Sequence, residues 1–530
     1  MMRPGFAPLQ ESTSQFRTPP FMLRCGMKGD DPGLAGLVRQ VGRYRVGAVL
    51  ALVGLLASLN YVVRLGKPHH PIWDESYYIT TTARYEAGRA QFASHPPLGL
   101  MLIAAGDALL RPNRGLDTSG IGRDKKIAGE QLPRHYSFVG IRAASGAFAV
   151  AGALVFCALM LVLTRSAAAA LLLSNLYVFE NAFIVHFRAA HLDAFQLFFC
   201  LCAVLCVALS VRRGHQGSRG LDFLLGLSCA LAMMVKLNAA VLALLAVMLL
   251  VWRASCNWRR ERSARTIALA ARDGSVMVAG ALLAIALVFT LHTALGRRPP
   301  DPTSAAGARD LRFVSVTYRD YLRGERALSP QVVFAATRDY ASFVFTDFAD
   351  MARSDENASQ ALMWPLHRKT INYRWDSREE ETRYVQLCGN LFSWSLALVA
   401  PLAAAALLLL NAVRPVGAGE PGVRVLLALL LLEYLAFMGL HAWLGTQRVM
   451  YLYHYFIGLL LAFCMVPLVW LEAAQRWPGL RARLVPLAAG GTAALLASFV
   501  FYAPLTFHRP LTYAQCQRRN FLQHVVDCQP

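Results

Sequence analysis

The chain has 530 residues, 56% of them hydrophobic and only 16% charged, with a formal net charge of +21. A soluble chain of this length needs a polar surface, with roughly a quarter of its residues charged, so a water-soluble globular protein is excluded. The basic surplus does not mark a nucleic-acid binder, because the basic residues punctuate apolar blocks and do not gather on one domain or stripe.

Residues 1–43 are polar, mildly basic and rich in Gly and Pro, and read as a cytoplasmic arm. The first apolar stretch begins near residue 44, too deep for a cleavable signal peptide. From there apolar runs of roughly 18–25 residues recur, long enough to cross a hydrocarbon layer about 30 Å thick. The expected spans are 44–63, 137–163, 166–185, 192–211, 221–235, 239–252, 274–293, 389–411, 425–441, 451–471 and 484–503. The pair 221–235 and 239–252 is read as two short helices joined near Lys236–Asn238, which keeps the basic connections on one side. The runs are too long for barrel strands and do not alternate. The expected fold is therefore an all-α polytopic membrane protein with about eleven transmembrane helices.

Arginine excess at Arg212–Arg213–Gly214–His215, Arg259–Arg262 and Arg476–Arg483 marks these short loops as cytoplasmic. The N-terminus then lies inside and the C-terminus outside. The long connections 64–136 and 294–388 and the tail 504–530 fall outside, where length overrides charge. This divides the chain into a membrane module 44–293 with its outer loop 64–136, an outer loop 294–388 with surface helices, and C-terminal membrane helices 389–503. The run 96–110 is too short to span comfortably and is expected at the interface or as a re-entrant segment. The eleven cysteines lack metal-like spacing, and a Cys516–Cys528 disulfide in the exported tail is left open. Asn357-Ala358-Ser359 is a glycosylation sequon, a short and common pattern that says little alone.

Ionisable residues at the outer ends of the spans carry the functional signal. Asp74 and Glu75, in Trp73-Asp74-Glu75-Ser76-Tyr77-Tyr78, could be a general base and an orienting partner, against the plain alternative of a solvated loop. His95, in His95-Pro96-Pro97-Leu98-Gly99, sits on a rigid turn, where a lone histidine is more often incidental. Arg142 opens an apolar span, where it either snorkels or holds a lipid phosphate. Glu180-Asn181 and His186-Phe187-Arg188-Ala189-Ala190-His191-Leu192-Asp193 form a polar turn, in which Asp193 caps its helix, binds an acceptor or pairs with Arg188. Lys236 with Asn238 reads as a buried-charge site. Arg448 and the run Tyr451-Leu452-Tyr453-His454-Tyr455 read as an aromatic belt with His454 a secondary candidate.

In these residues the chain resembles the protein O-mannosyltransferase family, polytopic enzymes of the GT-C fold class. Asp74-Glu75 is similar to the family's acidic pair in its first outer loop, and His95-Pro96-Pro97-Leu98-Gly99 to its His-Pro-Pro-Leu-Gly signature. The stretch from Glu180 through Arg188 and Asp193 to Phe199 resembles the segment joining the third and fourth family spans, and Arg142 falls where the family has an arginine entering its second. Ser359 to Leu366, with Trp364 and then Arg368, is similar to the Trp-Pro-Leu motif, and Tyr453-His454-Tyr455-Phe456 to a late Tyr-His-Tyr element. The similarity covers 44–503 in family order. Leu100 stands where the family commonly has lysine, and 294–388 has no room for the large sugar-binding-like module of most eukaryotic members. This short form looks more like bacterial members, which favours a bacterial plasma membrane over the endoplasmic reticulum.

The resemblance implies transfer of mannose, with inversion, from a polyprenyl-phosphate carrier to Ser or Thr hydroxyls of exported proteins. Asp74 is then the base and Glu75 orients acceptor or sugar. Arg142 is the first candidate for the leaving phosphate, with Arg188 and Lys236 as helpers, and His95, Asp193, Trp364, Arg368 and His454 are further site residues. The donor is a lipid-phosphate sugar and needs no nucleotide; a divalent metal is neither required nor ruled out by the residues. Membrane lipids and the exported acceptor are the implied partners. Family members often pair, but no residue here establishes a dimer. Two other readings stand beside this one: a GT-C transferase for another lipid-linked sugar such as arabinose or aminoarabinose with a lipid or glycan acceptor, and a multi-span transporter. The transporter reading lacks an inverted repeat and midplane ionisable pairs.

Overall fold

The computed structural model describes residues 42–350, 354–415, 420–520 and 526–529; nearly all of the expected cytoplasmic arm, 1–41, lies outside the described residues. The N-terminal half runs α1 (Arg43–Tyr61), α2 (Glu75–Glu86), α3 (Pro97–Leu110), α4 (Val139–Thr164), α5 (Ala167–Val178), α6 (Asn181–Phe187), α7 (Asp193–Arg212), α8 (Arg219–Val235), α9 (Leu242–Arg260) and α10 (Ala264–Leu295). A connecting segment follows with α11 (Ala305–Leu311), α12 (Val316–Leu322) and α13 (Pro330–Ala349), then a hairpin of β1 (Ile371–Arg378) and β2 (Glu381–Leu387). The C-terminal half comprises α14 (Leu391–Val413), α15 (Pro421–Leu444), α16 (Phe456–Arg476), α17 (Leu484–Thr506), β3 (Pro510–Thr512) and α18 (Tyr513–Gln517).

Among the described residues nine helices are long and apolar enough to cross a membrane, and the bent pair α5–α6, broken by 59°, makes a tenth when counted as one span. The eleven spans read from the sequence also require α8, which at 17 residues falls just short of that measure. Segment 221–252 is two helices, as read: α8 stops at Val235, Lys236 is extended at φ −146°, and a 3-10 turn over Leu237–Val241 leads into α9. Segment 96–110 forms α3, with Pro97 in its first turn, where a missing N–H costs nothing.

The best-buried membrane windows lie in the helices Asp193–Arg212 and Leu452–Arg476, each 72% buried, whereas the window in Pro478–Thr506 is 6% buried. Thus α7 and α16 form the centre and α17 an outer, lipid-facing wall. Lipid supplies no hydrophobic force between helices, so close approach needs small residues. Helices α8 and α10 show it: a Cβ on Gly226 would lie 1.8 Å from the Met277 carbonyl oxygen, and one on Gly280 2.2 Å from that of Phe223.

A second apolar cluster, including Tyr78, Phe92, Met101, Phe138, Phe195, Phe289 and Tyr340, packs α2, α3, α12 and α13 over the ends of α4, α7, α8 and α10. Segment 294–388 was expected to hold surface helices alone; it also carries two strands. They form an antiparallel sheet of order β1-β2-β3, in which Tyr384 pairs with Trp375 and Arg383 with Pro510. Cys516 and Cys528 are disulfide-bonded beneath it.

Candidate functional site

Four breaks in helical structure converge at one end of the bundle: the loop before α2, the turn between α6 and α7, the extended residue after α8, and the 3-10 turn Leu452–Tyr455 before α16. At each, backbone leaves the helix and polar side chains reach inward. Gly99 keeps the His95-Pro96-Pro97-Leu98-Gly99 turn against this end, since a Cβ there would meet Leu192 at 2.8 Å and Val235 at 3.1 Å.

At the centre lies Asp193. Its Oδ2 accepts from Lys236 Nζ at 2.6 Å and from His186 Nε2 at 2.6 Å, with all three side chains buried. A carboxylate only accepts, so Nε2 carries the proton, leaving Nδ1 to accept from the Tyr373 hydroxyl at 2.7 Å. The result is an ordered chain, Tyr373–His186–Asp193–Lys236. Asp193 neither caps its helix nor pairs with Arg188, as two of the sequence alternatives had it. Gln196 Nε2 holds the Lys236 carbonyl at 3.1 Å and the Asn238 amide oxygen at 2.8 Å, fixing the break from which the lysine projects.

Asp74 stands beside this chain. It precedes α2, and no described residue donates a hydrogen bond to its carboxylate. Burial pushes its pKa up to about 6; the Asp193 charge adds to the rise and Lys236 opposes it. Trp73, at φ 48°, stacks on Tyr373 at 5.1 Å and meets Tyr451 edge-on at 5.8 Å. His454 stacks between Tyr453 at 4.7 Å and Trp364 at 6.3 Å, and Lys236 Nζ lies 5.2 Å over the Tyr453 ring. His95 is held neutral: burial first, then the charges of Lys236 and Arg448, bring its pKa down to about 3. Asp74, His95, Asn238, Arg448 and His454 are all half-buried, so the cluster keeps an accessible side.

The other expected residues are placed differently. Glu75 and Arg142 are fully buried and form a bidentate pair, Nε–Oε1 2.7 Å and Nη2–Oε2 2.8 Å. Glu75 also accepts from the Ile72 and Ala190 amides, and Arg142 donates to the carbonyls of Leu65, Pro68 and His70. All five guanidinium donors are spent on protein, which corrects the expectation that Arg142 grips a phosphate, and Glu75 has no exposed surface with which to touch a substrate. Arg188 turns away from the cluster to the carbonyls of Asn60, Val63 and Arg64 at and just past the end of α1. Arg368 is exposed, and its neighbour His367 faces inward, accepting from the Gly389 amide at 2.8 Å. Glu180 binds the Ser393 hydroxyl, the Trp394 indole and the Asn390 amide, so it anchors the start of α14 outside the cluster.

Tyr373 was not anticipated. The signal was present: Ile371-Asn372-Tyr373-Arg374-Trp375 alternates apolar and polar residues ahead of a turn, which reads as a strand. Among the described residues no group of three or more His, Cys, Asp or Glu side chains could hold a metal ion.

A helical membrane bundle with a short acid–base chain at one end defines a polytopic membrane protein with a polar site at the ends of its helices. The chain belongs to the dolichyl-phosphate-mannose–protein mannosyltransferase family: the model of that name matches residues 51–296, and the model of the C-terminal four-helix region of protein-O-mannosyltransferase matches 342–525. Protein O-mannosyl-transferase 2 of Danio rerio is 29% identical over 159 residues, covering 30% of this chain and 20% of that relative's length. The yeast (S. cerevisiae) Pmt1–Pmt2 complex bound to the sugar donor is similar in fold, with TM-score 0.73 at 13% identity, over 93% of this chain and 94% of that one. An oligosaccharyltransferase of Archaeoglobus fulgidus has TM-score 0.46 at 10% identity, over 91% and 57% of the two chains.

These relatives correct the bacterial placement read from the sequence. The zebrafish and yeast proteins are eukaryotic, whereas the bacterial preference rested on a missing outer module. The multi-pass membrane assignment stands.

Proposed function

We propose that the protein is an inverting glycosyltransferase that moves mannose from a polyprenyl-phosphate carrier to Ser or Thr hydroxyls of exported proteins. The carrying observation is a carboxylate without a hydrogen-bond partner, Asp74, within electrostatic reach of a buried lysine held at a helix break. An alcohol is a poor nucleophile at neutral pH and needs a base as its bond to the anomeric carbon forms. Asp74 takes that proton. The sugar–phosphate C–O bond breaks, and the departing lipid phosphate gains charge facing Lys236 and Arg448, where scarce water strengthens the attraction. A retaining mechanism would need a second carboxylate as nucleophile. Asp193 and Glu75 are both committed to ion pairs, which favours single displacement and inversion.

Within this reading Tyr373, His186 and Asp193 hold Lys236 in place, His95, Trp364 and His454 wall the sugar site, and Glu75 with Arg142 positions Asp74. The proposed topology puts the N-terminus in the cytoplasm and the site outside. Two of the arginine-rich turns support it by meeting, Arg260 contacting His215 at 2.8 Å, while Arg481 of the third pairs with Glu420 just before α15 at 3.3 Å. Purified protein given a panel of polyprenyl-phosphate sugars and a Ser/Thr-rich peptide tests the reading. Mannose on the peptide with the anomeric configuration opposite to the donor's is expected; preference for another sugar, or retention, contradicts it.

A further inference from the structure

A groove of about 690 Å³ opens between the ends of α1 and α17. Its floor is apolar, formed by Leu59, Val63, Phe499, Val500 and Phe507. Leu59, Val63 and Val500 are 52%, 48% and 66% exposed, as suits side chains facing lipid tails. Its rim carries Arg64, Lys67, Arg188, Arg383 and Arg509, and no aspartate or glutamate lines it.

The rim is assembled from separate parts of the chain. Arg64 and Lys67 follow α1, and Arg188 is fixed among the last carbonyls of that helix. The β2–β3 register sets Arg383 opposite Pro510, bringing it beside Arg509. Arg188 and Arg509 both lie over the Phe507 ring, at 5.5 and 5.9 Å. The side chains of Lys67, Arg383 and Arg509 donate no hydrogen bond to any described residue, and His508, the remaining basic lining residue, is matched by Asp376 at 2.8 Å. Solvent-exposed cations above a lipid-facing floor attract an anion whose other end is apolar.

We propose that this groove binds the phosphate-bearing headgroup of an anionic phospholipid, with the acyl chains running down between α1 and α17. The site is separate from the transfer centre and does not rest on the reaction assigned there. Lipid headgroups attract juxtamembrane lysine and arginine residues, so several cations around one phosphate hold it firmly.

The test uses the full chain in nanodiscs of phosphatidylcholine with added phosphatidylinositol, released into detergent and weighed by native mass spectrometry. One retained phosphatidylinositol per chain is expected. The triple variant Lys67→Ala, Arg383→Ala, Arg509→Ala should weaken retention roughly tenfold or more. Arg481→Ala, a basic residue far from the groove, should leave retention unchanged. Equal retention by the triple variant, or equal loss in Arg481→Ala, would overturn the proposal. So would displacement of the lipid by millimolar inorganic phosphate, which would make this a site for free anions.

Discussion

Lys236 and His186 both reach the same carboxylate oxygen, Oδ2 of Asp193, at 2.6 Å. The arrangement depends on backbone breaks on both sides, the extended residue after α8 and the turn before α7. A lysine inside an intact helix at this depth would be buried without choosing its direction. Here the break aims it.

Replacing Lys236 with Met should lower kcat/KM for a lipid-phosphate donor by roughly 10²–10³, the scale of removing one well-placed electrostatic contact to the transition state. Both Lys236→Met, which strands the buried Asp193 carboxylate, and Asp193→Ala, which leaves the lysine charge buried and unpaired, should also cost about 3–5 kcal/mol of stability. Steady-state kinetics beside thermal unfolding in detergent separates the two effects.

Glu75 and Arg142 are predicted to matter for folding. Arg142→Leu strands a buried carboxylate and should destabilise by about 3–5 kcal/mol. Arg142→Lys should rescue only part of this, because an ammonium cannot reproduce the bidentate fork. If Arg142 instead bound the donor phosphate, the lysine variant would show a raised donor KM at unchanged melting temperature.

The raised pKa of Asp74 gives two pH effects. As the base it must be ionised, so activity should fall as pH drops through about 6. For stability the sign is opposite. The folded state holds this proton more tightly than the unfolded chain, so this group's contribution declines as pH rises from about 3.8 to about 6. Asp74→Asn removes that cost and should be at least as stable as the wild type at pH 7.5, measured by thermal unfolding.

Tyr373→Phe deletes the hydroxyl that orients His186 and leaves Nδ1 unpaired in a buried site. A loss of about 1–3 kcal/mol in stability is expected, with a fall in kcat and little change in peptide KM. A rise in peptide KM at constant kcat would place Tyr373 on the acceptor instead.

The membrane helices were legible because length and hydropathy decide them: α1, α4, α7 and α14 to α17 fall within a few residues of the expected runs. Position along the chain also grouped candidate residues, since Asp74, His95, Asp193, Lys236 and His454 all come to one end. What sequence could not supply was partner choice. Arg142 and Lys236 look alike as isolated charges near span ends, yet one is saturated by five acceptors and the other projects from a helix break. Arg188 and Arg368 were misplaced for the same reason, because direction is set by packing. Tyr373 was missed because a short strand within a connection of nearly a hundred residues gives little signal beside eleven apolar runs.

The most direct test of the central claim is transfer of radiolabelled mannose from polyprenyl-phosphate mannose to a Ser/Thr-rich peptide by wild type, Asp74→Asn and Glu75→Gln, each scored per folded molecule. The account predicts label on the peptide with wild type, a loss of roughly 10²–10⁴ in kcat for Asp74→Asn at undiminished stability, and a Glu75→Gln defect that follows loss of folded protein. Full activity in folded Asp74→Asn, with Glu75→Gln folded but inactive, would contradict it and move the base to Glu75.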